Sequence, residues 1–219
     1  MSDVSRETQR AIDRHFPSPG AAIRQYVEIL TTTGVQRGLI GPRETPRVWE
    51  RHILNCAVIA PIFGSNAEVA DVGSGAGLPG LVLAMSRPDL GFTLIEPLQR
   101  RATFLFEVIE LLDLPNVSVL RARAEDLHGT ALFDAVCARA VAPLPRLARW
   151  ALPLCRPGGE LVAMKGARAV EEVEAARPLL RELSLDDVKV EQYGEGVVAP
   201  LTTVIRIRSR QTPQGDTRR

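Results

Sequence analysis

Along most of the chain, short apolar runs alternate with longer stretches in which apolar residues recur every three to four positions. Runs of four or five read as buried strands, and the periodic stretches read as amphipathic helices. The pattern predicts strands at Glu68–Val72, Phe92–Ile95, Val117–Arg121, Ala135–Ala138 and Glu160–Met164. Helices fall between or after them at Leu78–Met85, Leu98–Leu112, Leu144–Leu152 and Val170–Leu183. Alternation of this kind marks an α/β fold with a doubly wound, mostly parallel sheet. Near the end the rhythm changes, because Val188–Tyr193 and Thr202–Arg208 alternate apolar and polar positions as an antiparallel pair does. Ahead of the first strand only helices and loops are expected. Ile23, Tyr26, Val27 and Leu30 form one stripe that ends before Gly34, a loop passes Gly38, Gly41 and Pro42, and a second helix runs from Pro46 to about Ile59. The expected division is a helical cap at 1–66, an α/β domain at 67–208 and a polar tail at 209–219, with Gln211–Arg219 disordered.

The first strand runs through Asp71-Val72 into Gly73-Ser74-Gly75-Ala76-Gly77-Leu78-Pro79-Gly80. Glycines at alternate positions remove the Cβ atoms that would hold a backbone away from a ligand, and Pro79 suits the first position of a following helix. A helix N-terminus placed there favours an anionic group. Gly75-Ala-Gly77-Leu-Pro-Gly80 is also a literal dinucleotide fingerprint, so two cofactor classes compete. Register favours the other class, since Asp71 closes the strand and Gly73 precedes the fingerprint. Asp-x-Gly-x-Gly-x-Gly resembles motif I of S-adenosylmethionine-dependent methyltransferases.

Ligands of an open α/β sheet bind beyond the carboxyl ends of its strands, so the residues after each strand form one set of candidates. Glu96 lies 23 positions beyond Gly73, where an acid can accept hydrogen bonds from ribose hydroxyls in either class. Ala124, Glu125 and Asp126 follow the third strand and could edge an adenine, or could simply be a helix N-terminal acid pair. Arg139 and Ala140 follow the fourth strand, and Lys165 and Gly166 the fifth. With Arg100, Arg101, Arg121 and Arg123 they form a basic rim richer than a cationic cofactor requires. A polyanionic substrate is the sharper reading of that rim. The plainer one is a solvated edge paired with Glu96, Glu125 and Asp126. His52 is either a helix-surface or partly packed histidine or a substrate contact.

Composition removes other classes. With 219 residues and 45% apolar content, one domain with an additional subdomain can bury a full core. The three cysteines, Cys56, Cys137 and Cys155, have no C-x-x-C spacing and suggest neither disulfides nor zinc. A reducing cytoplasm is the expected compartment. No run is long enough for a membrane span, and an N-terminus carrying Arg6, Glu7, Arg10 and Asp13 does not read as a signal peptide. A net charge of +1 argues against a uniformly basic nucleic-acid binder but leaves room for a local patch. The fourth strand is followed by neither a Pro-Pro-Tyr element for amino methylation nor a Pro-Cys nucleophile, and Cys137 is expected to be packed within its strand.

Together, Asp71-Val-Gly73-Ser-Gly75-Ala-Gly77-Leu-Pro-Gly80, the Glu125 segment, Cys137-Ala-Arg139-Ala, Met164-Lys165-Gly166 and Glu50-Arg51-His52-Ile-Leu resemble the small-subunit ribosomal RNA methyltransferase G family, also called glucose-inhibited division protein B. The resemblance extends from Gly20 to Arg208. It implies a class I, Rossmann-like methyltransferase that uses S-adenosylmethionine to methylate N7 of a guanosine in the 530-loop region of 16S RNA, and whose loss gives low-level streptomycin resistance. It implies a cofactor site at Gly73, Leu78, Ala124, Glu125 and Arg139, to which the glycine loop and the strand-end acid add Gly75, Gly77 and Glu96. His52, Arg123 and Lys165 would lie toward RNA, met naked, in a 30S particle or in an assembly intermediate, with Arg101 of the basic rim beside them. Neither DNA nor a metal is implied. One departure is Gly38-Leu39-Ile40, where many members carry Asn-Leu-Thr. From the residues alone, an NAD-dependent oxidoreductase and a noncatalytic RNA-binding protein remain alternatives.

Overall fold

The computed structural model describes residues 4–16 and 20–210; the expectation for Gln211–Arg219 falls outside them. Seven strands form one sheet: β1 (Glu68–Val72), β2 (Gly91–Ile95), β3 (Val117–Leu120), β4 (Phe133–Arg139), β5 (Cys155–Lys165), β6 (Val188–Tyr193) and β7 (Thr202–Arg208). Their order is β3-β2-β1-β4-β5-β7-β6. β1 to β5 are parallel, and β7 runs antiparallel to both β5 and β6. The inserted antiparallel β7 is what class I methyltransferases show. It separates the fold from the 3-2-1-4-5-6 order of dinucleotide-binding dehydrogenases, so the oxidoreductase alternative loses its structural basis.

Alternation along the strands builds a core on each face of the sheet. Val69, Phe92, Leu94, Ala135, Cys137, Val162 and Val204 face one layer. Ala70, Val72, Ile95, Val136, Ala138, Leu161, Ala163, Ile205 and Ile207 face the other. The second layer is α6 (Leu144–Ala151) with α7 (Ala169–Glu182). The first layer contains α4 (Gly80–Ser86) and α5 (Gln99–Leu112), with the N-terminal helices packed among them as one continuous apolar cluster.

The N-terminal region departs most from the periodicity. Helix α1 (Arg6–His15) is an element that the pattern did not reveal; the Ser5 hydroxyl caps it by accepting from the Thr8 amide at 3.1 Å, and Ile12 is its buried anchor. Helix α2 (Ala21–Ile29) passes into a π-turn at Leu30–Gly34. Between Pro46 and Ile59 there is no single helix. A 3-10 turn (Pro42–Arg47), a π-turn (Trp49–Leu54) and the short α3 (Asn55–Ala57) follow one another, and the widened turn re-aims the side chains that a regular helix would stack. Helix α4 starts at Gly80 rather than Leu78, because the tight glycine loop extends through Pro79. β5 starts at Cys155, with Pro157 to Gly159 making its irregular entry. All three cysteines are free and buried.

Candidate cofactor and RNA site

β1, β2, β3, β4 and β5 deliver Gly73, Glu96, Arg121, Ala140 and Gly166 to one edge of the sheet. The loop after β1 is fixed by its own backbone. The Gly73 amide donates to Ile95 O at 2.8 Å, Gly77 N donates to Ser74 O at 2.7 Å, and the Ser74 hydroxyl returns to Asp71 O at 2.7 Å. Asp71 is fully buried beneath it and accepts from Gly80 N at 3.0 Å, while its other carboxylate oxygen has no partner. Burial raises this carboxyl to a pKa of about 7.

The three glycines serve different ends, although all have positive φ. At Gly73 a Cβ would lie 2.8 Å from a methyl of Val141, and at Gly77 one would lie 2.3 Å from Leu81. Those two positions are glycine for packing. Gly75 has φ +59° and open space beyond it, the nearest atom to a Cβ being Gly73 O at 3.7 Å; its bare face is the one a ligand can approach. Glu96, 1% exposed, accepts from Gly75 N at 2.9 Å and from Leu98 N at 3.0 Å. Each carboxylate oxygen keeps a further acceptor position, which suits a sugar diol. Arg101 stands 3.8 Å from the same carboxylate. On the neighbouring strand end, Ala124 is buried and Glu125 exposed, in a 3-10 turn (Ala124–Leu127) entered through exposed Arg123. The Asp126 carboxylate accepts from Arg123 N at 3.2 Å.

Beside this loop lies a cleft of about 1050 Å³, bordered by Arg47, Asn55, Arg139, Lys165, Arg168 and Thr202 among others. Of the strand-end and site residues named from sequence, Arg139, Ala140, Lys165 and Gly166 border it, and His52, Gly73, Gly75, Gly77, Leu78, Glu96, Arg101, Arg123, Ala124 and Glu125 do not. Neither cation is solitary. Lys165 donates to Ala142 O and to Glu172, each at 2.7 Å, with 9% of its side chain exposed; Glu172 also accepts from Leu144 N at 2.8 Å. Arg139 turns toward the N-terminal helices, where it hydrogen-bonds His52 Nδ1 and reaches Cys56 Sγ at 3.2 Å. His52 Nε2 meets Glu44 at 2.9 Å, leaving the ring 8% exposed. Burial and the Arg139 charge lower the His52 pKa more than Glu44 raises it. Burial likewise pushes the Cys137 thiol far up, away from nucleophilic reactivity.

Glu44, Val141 and Glu172 shape this region and were not singled out from sequence, and Tyr26, read only as part of an apolar stripe, donates its hydroxyl to Ala76 O of the glycine loop. Glu172, in the first turn of α7 and seven residues past Lys165, could have been found as an N-terminal helix acid. The Glu44–His52 pairing depends on the π-turn and leaves no such trace.

The rRNA small subunit methyltransferase G model matches residues 20–198. Ribosomal RNA small subunit methyltransferase G of Streptomyces coelicolor is 53% identical over 192 residues, covering 87% of this chain and 80% of that protein. The Thermobifida fusca protein of the same name is 55% identical over 206 residues, covering 94% and 84%. Among solved structures, the tRNA (m1A58) methyltransferase of Aquifex aeolicus superposes with a TM-score of 0.55 at 13% identity, over 72% of this chain and 69% of that one. The precorrin-6y C5,15-methyltransferase of Geobacter metallireducens gives 0.53 at 14%, over 78% and 90%. These two share the class I methyltransferase fold with it, while the sequence matches go further: the chain belongs to the rRNA small subunit methyltransferase G family.

Proposed function

We propose that this protein transfers a methyl group from S-adenosylmethionine to N7 of a guanosine in the 530-loop region of 16S ribosomal RNA, in the cytoplasm. The observation that carries the reading is the family membership over residues 20–198, and the described fold agrees with it. Among the described residues no helix is long and apolar enough to cross a membrane, and no cluster of three or more His, Cys, Asp or Glu could hold a metal.

The glycine loop fits the cofactor: a bare left-handed glycine faces open space, and a buried carboxylate with spare acceptor positions stands beside it. Gly73, Gly75, Gly77 and Leu78 form the cradle, Glu96 takes the ribose, Ala124 and Glu125 edge the adenine, and Arg139 closes the side toward the cleft. When bound, S-adenosylmethionine supplies a methyl carbon activated by its sulfonium. Guanine N7 carries a lone pair and no proton, so no residue has to act as a general base. From a cofactor held there this methyl would pass to N7, and the positive charge would move to the purine. The chain's task is alignment and exclusion of water, with Glu96 and the loop carbonyls as nearby negative groups. Exposed Arg123, with Arg101, contacts RNA phosphates, Lys165 borders the cleft from within its pair, and His52 acts on the cleft through Arg139.

The test is transfer of tritiated methyl groups to naked 16S RNA, 30S particles and assembly intermediates, with the modified nucleotide mapped in RNA from cells with and without the gene. A guanine N7 mark that disappears with the gene is expected, and the preferred form of RNA identifies the substrate. An unchanged map, or NAD binding without S-adenosylhomocysteine binding, overturns the reading.

A further inference from the structure

The Arg139–His52–Glu44 chain has a direction. An arginine can only donate, so His52 Nδ1, which meets Arg139, must be the acceptor nitrogen. In the neutral ring the proton then sits on Nε2, facing Glu44 at 2.9 Å. Glu44 also meets Arg51 at 3.2 Å, and the hydrogen bond from His52 holds its carboxyl below the ordinary glutamate range, so it remains an acceptor. The charges acting on the ring are Arg139 from β4, Glu44 from the 3-10 turn and Arg51 on its own turn.

We propose that His52 is a positioning residue for methyl transfer: its neutral imidazole, locked in the Nε2–H form by Glu44, accepts from Arg139 and holds that guanidinium at the mouth of the cofactor site. The inference rests on the assignment of Arg139 to the cofactor. Arg139 ends β4 and is followed by Ala140 in a left-handed conformation, φ +55°, so the strand pairing that fixes the chain up to this point stops here. The anchor beyond it comes from the N-terminal helices. Protonation of His52 places a hydrogen on Nδ1, turns acceptor into donor and sets two cations against each other. Burial and Arg139 already oppose that protonation, so the lock holds at neutral pH and opens on acidification.

The experiment is calorimetric titration of S-adenosylhomocysteine from about pH 8 to about pH 5, with thermal unfolding recorded at each pH, for the parent, His52→Asn, His52→Leu and Glu44→Gln. Parent affinity is expected to fall by about tenfold or more toward the acidic end while the fold persists. His52→Leu should be weak and lack the step that His52 protonation gives the parent, keeping only the dependence that Asp71 beneath the loop gives every variant. The Asn amide oxygen can take the place of Nδ1, so His52→Asn should recover most of the lost affinity and also lack that step. Glu44→Gln should shift the parent's acid limb toward lower pH, since the carboxylate that favours the imidazolium is gone. A parent profile no steeper than that of His52→Leu, His52→Asn no better than His52→Leu, or an acid limb in His52→Asn as steep as the parent's overturns the proposal. If His52→Leu does not fold, the parent and His52→Asn profiles decide it alone. A parent that fails to bind at about pH 8 instead refutes the cofactor assignment.

Discussion

Tyr26 and Ala76, fifty positions apart, are joined by a 2.7 Å hydrogen bond from a fully buried phenol to a carbonyl of the glycine loop. Helix α2 thus fastens the loop from behind. Tyr26→Phe keeps the ring and leaves Ala76 O unpaired, which should cost about 1–3 kcal/mol. Chemical denaturation should show a lowered midpoint with an unchanged m-value, and calorimetry a weaker S-adenosylhomocysteine complex.

The glycines should separate by experiment. Gly75→Val is expected to weaken S-adenosylhomocysteine at least about tenfold, because its side chain enters the open space a ligand would use, and to lower the melting temperature through the left-handed backbone at φ +59° without any clash in the core. Gly73→Ala should instead destabilise the fold through the contact with Val141, and Val141→Ala in the same chain should restore part of the loss. Unfolding curves and binding isotherms on the three variants decide both points.

Arg123 and Lys165 should also part company. Arg123→Ala, exposed at a turn entrance, is expected to lower the salt slope of RNA binding by about 1 without changing the melting temperature. Lys165→Ala removes the partner of Glu172 in a largely buried pair, so it should lose roughly 2 kcal/mol of stability as well as activity. A melting temperature equal to the parent's would show that this pair contributes nothing.

Asp71 makes stability pH-dependent in an unusual sense. Its folded-state pKa of about 7 exceeds the ordinary aspartate value of 3.8, so the folded chain holds a proton that the unfolded chain releases. This contribution is fully present below about pH 4, declines as pH rises and is gone above about pH 7. The stability difference between the parent and Asp71→Asn, measured across that range, should therefore move against the parent as pH rises.

The parallel strands were legible because each is a short apolar run fixed in place by the sheet, and the strand-end rule brought Gly73, Glu96, Arg139 and Lys165 to one edge without any knowledge of packing. What each does there was less legible. Lys165 read as a cation facing the cleft because its pairing with Glu172 and Ala142 O depends on where α7 begins and how the chain leaves β4. His52 stayed open between a helix histidine and a substrate contact, because the π-turn at Trp49–Leu54 that buries it against Arg139 leaves no mark in the periodicity. Helix α1 left too short a stripe to be noticed, although Ser5 stood in place as its cap. Hydrophobic periodicity reports which face is buried; it does not report which polar groups meet across the core.

The Glu96 carboxylate grips the Gly75 and Leu98 amides within the chain's own hydrogen bonding, and this bears on the thermodynamics of capture. A loop held in this way gives up its conformational freedom when the polypeptide folds, not when the small molecule arrives. Little ordering entropy then opposes association, and the bound loop should resemble the free one. Removing the grip with Glu96→Gln would have a cost beyond a lost contact with a sugar hydroxyl, because the backbone would have to be reorganised at every encounter.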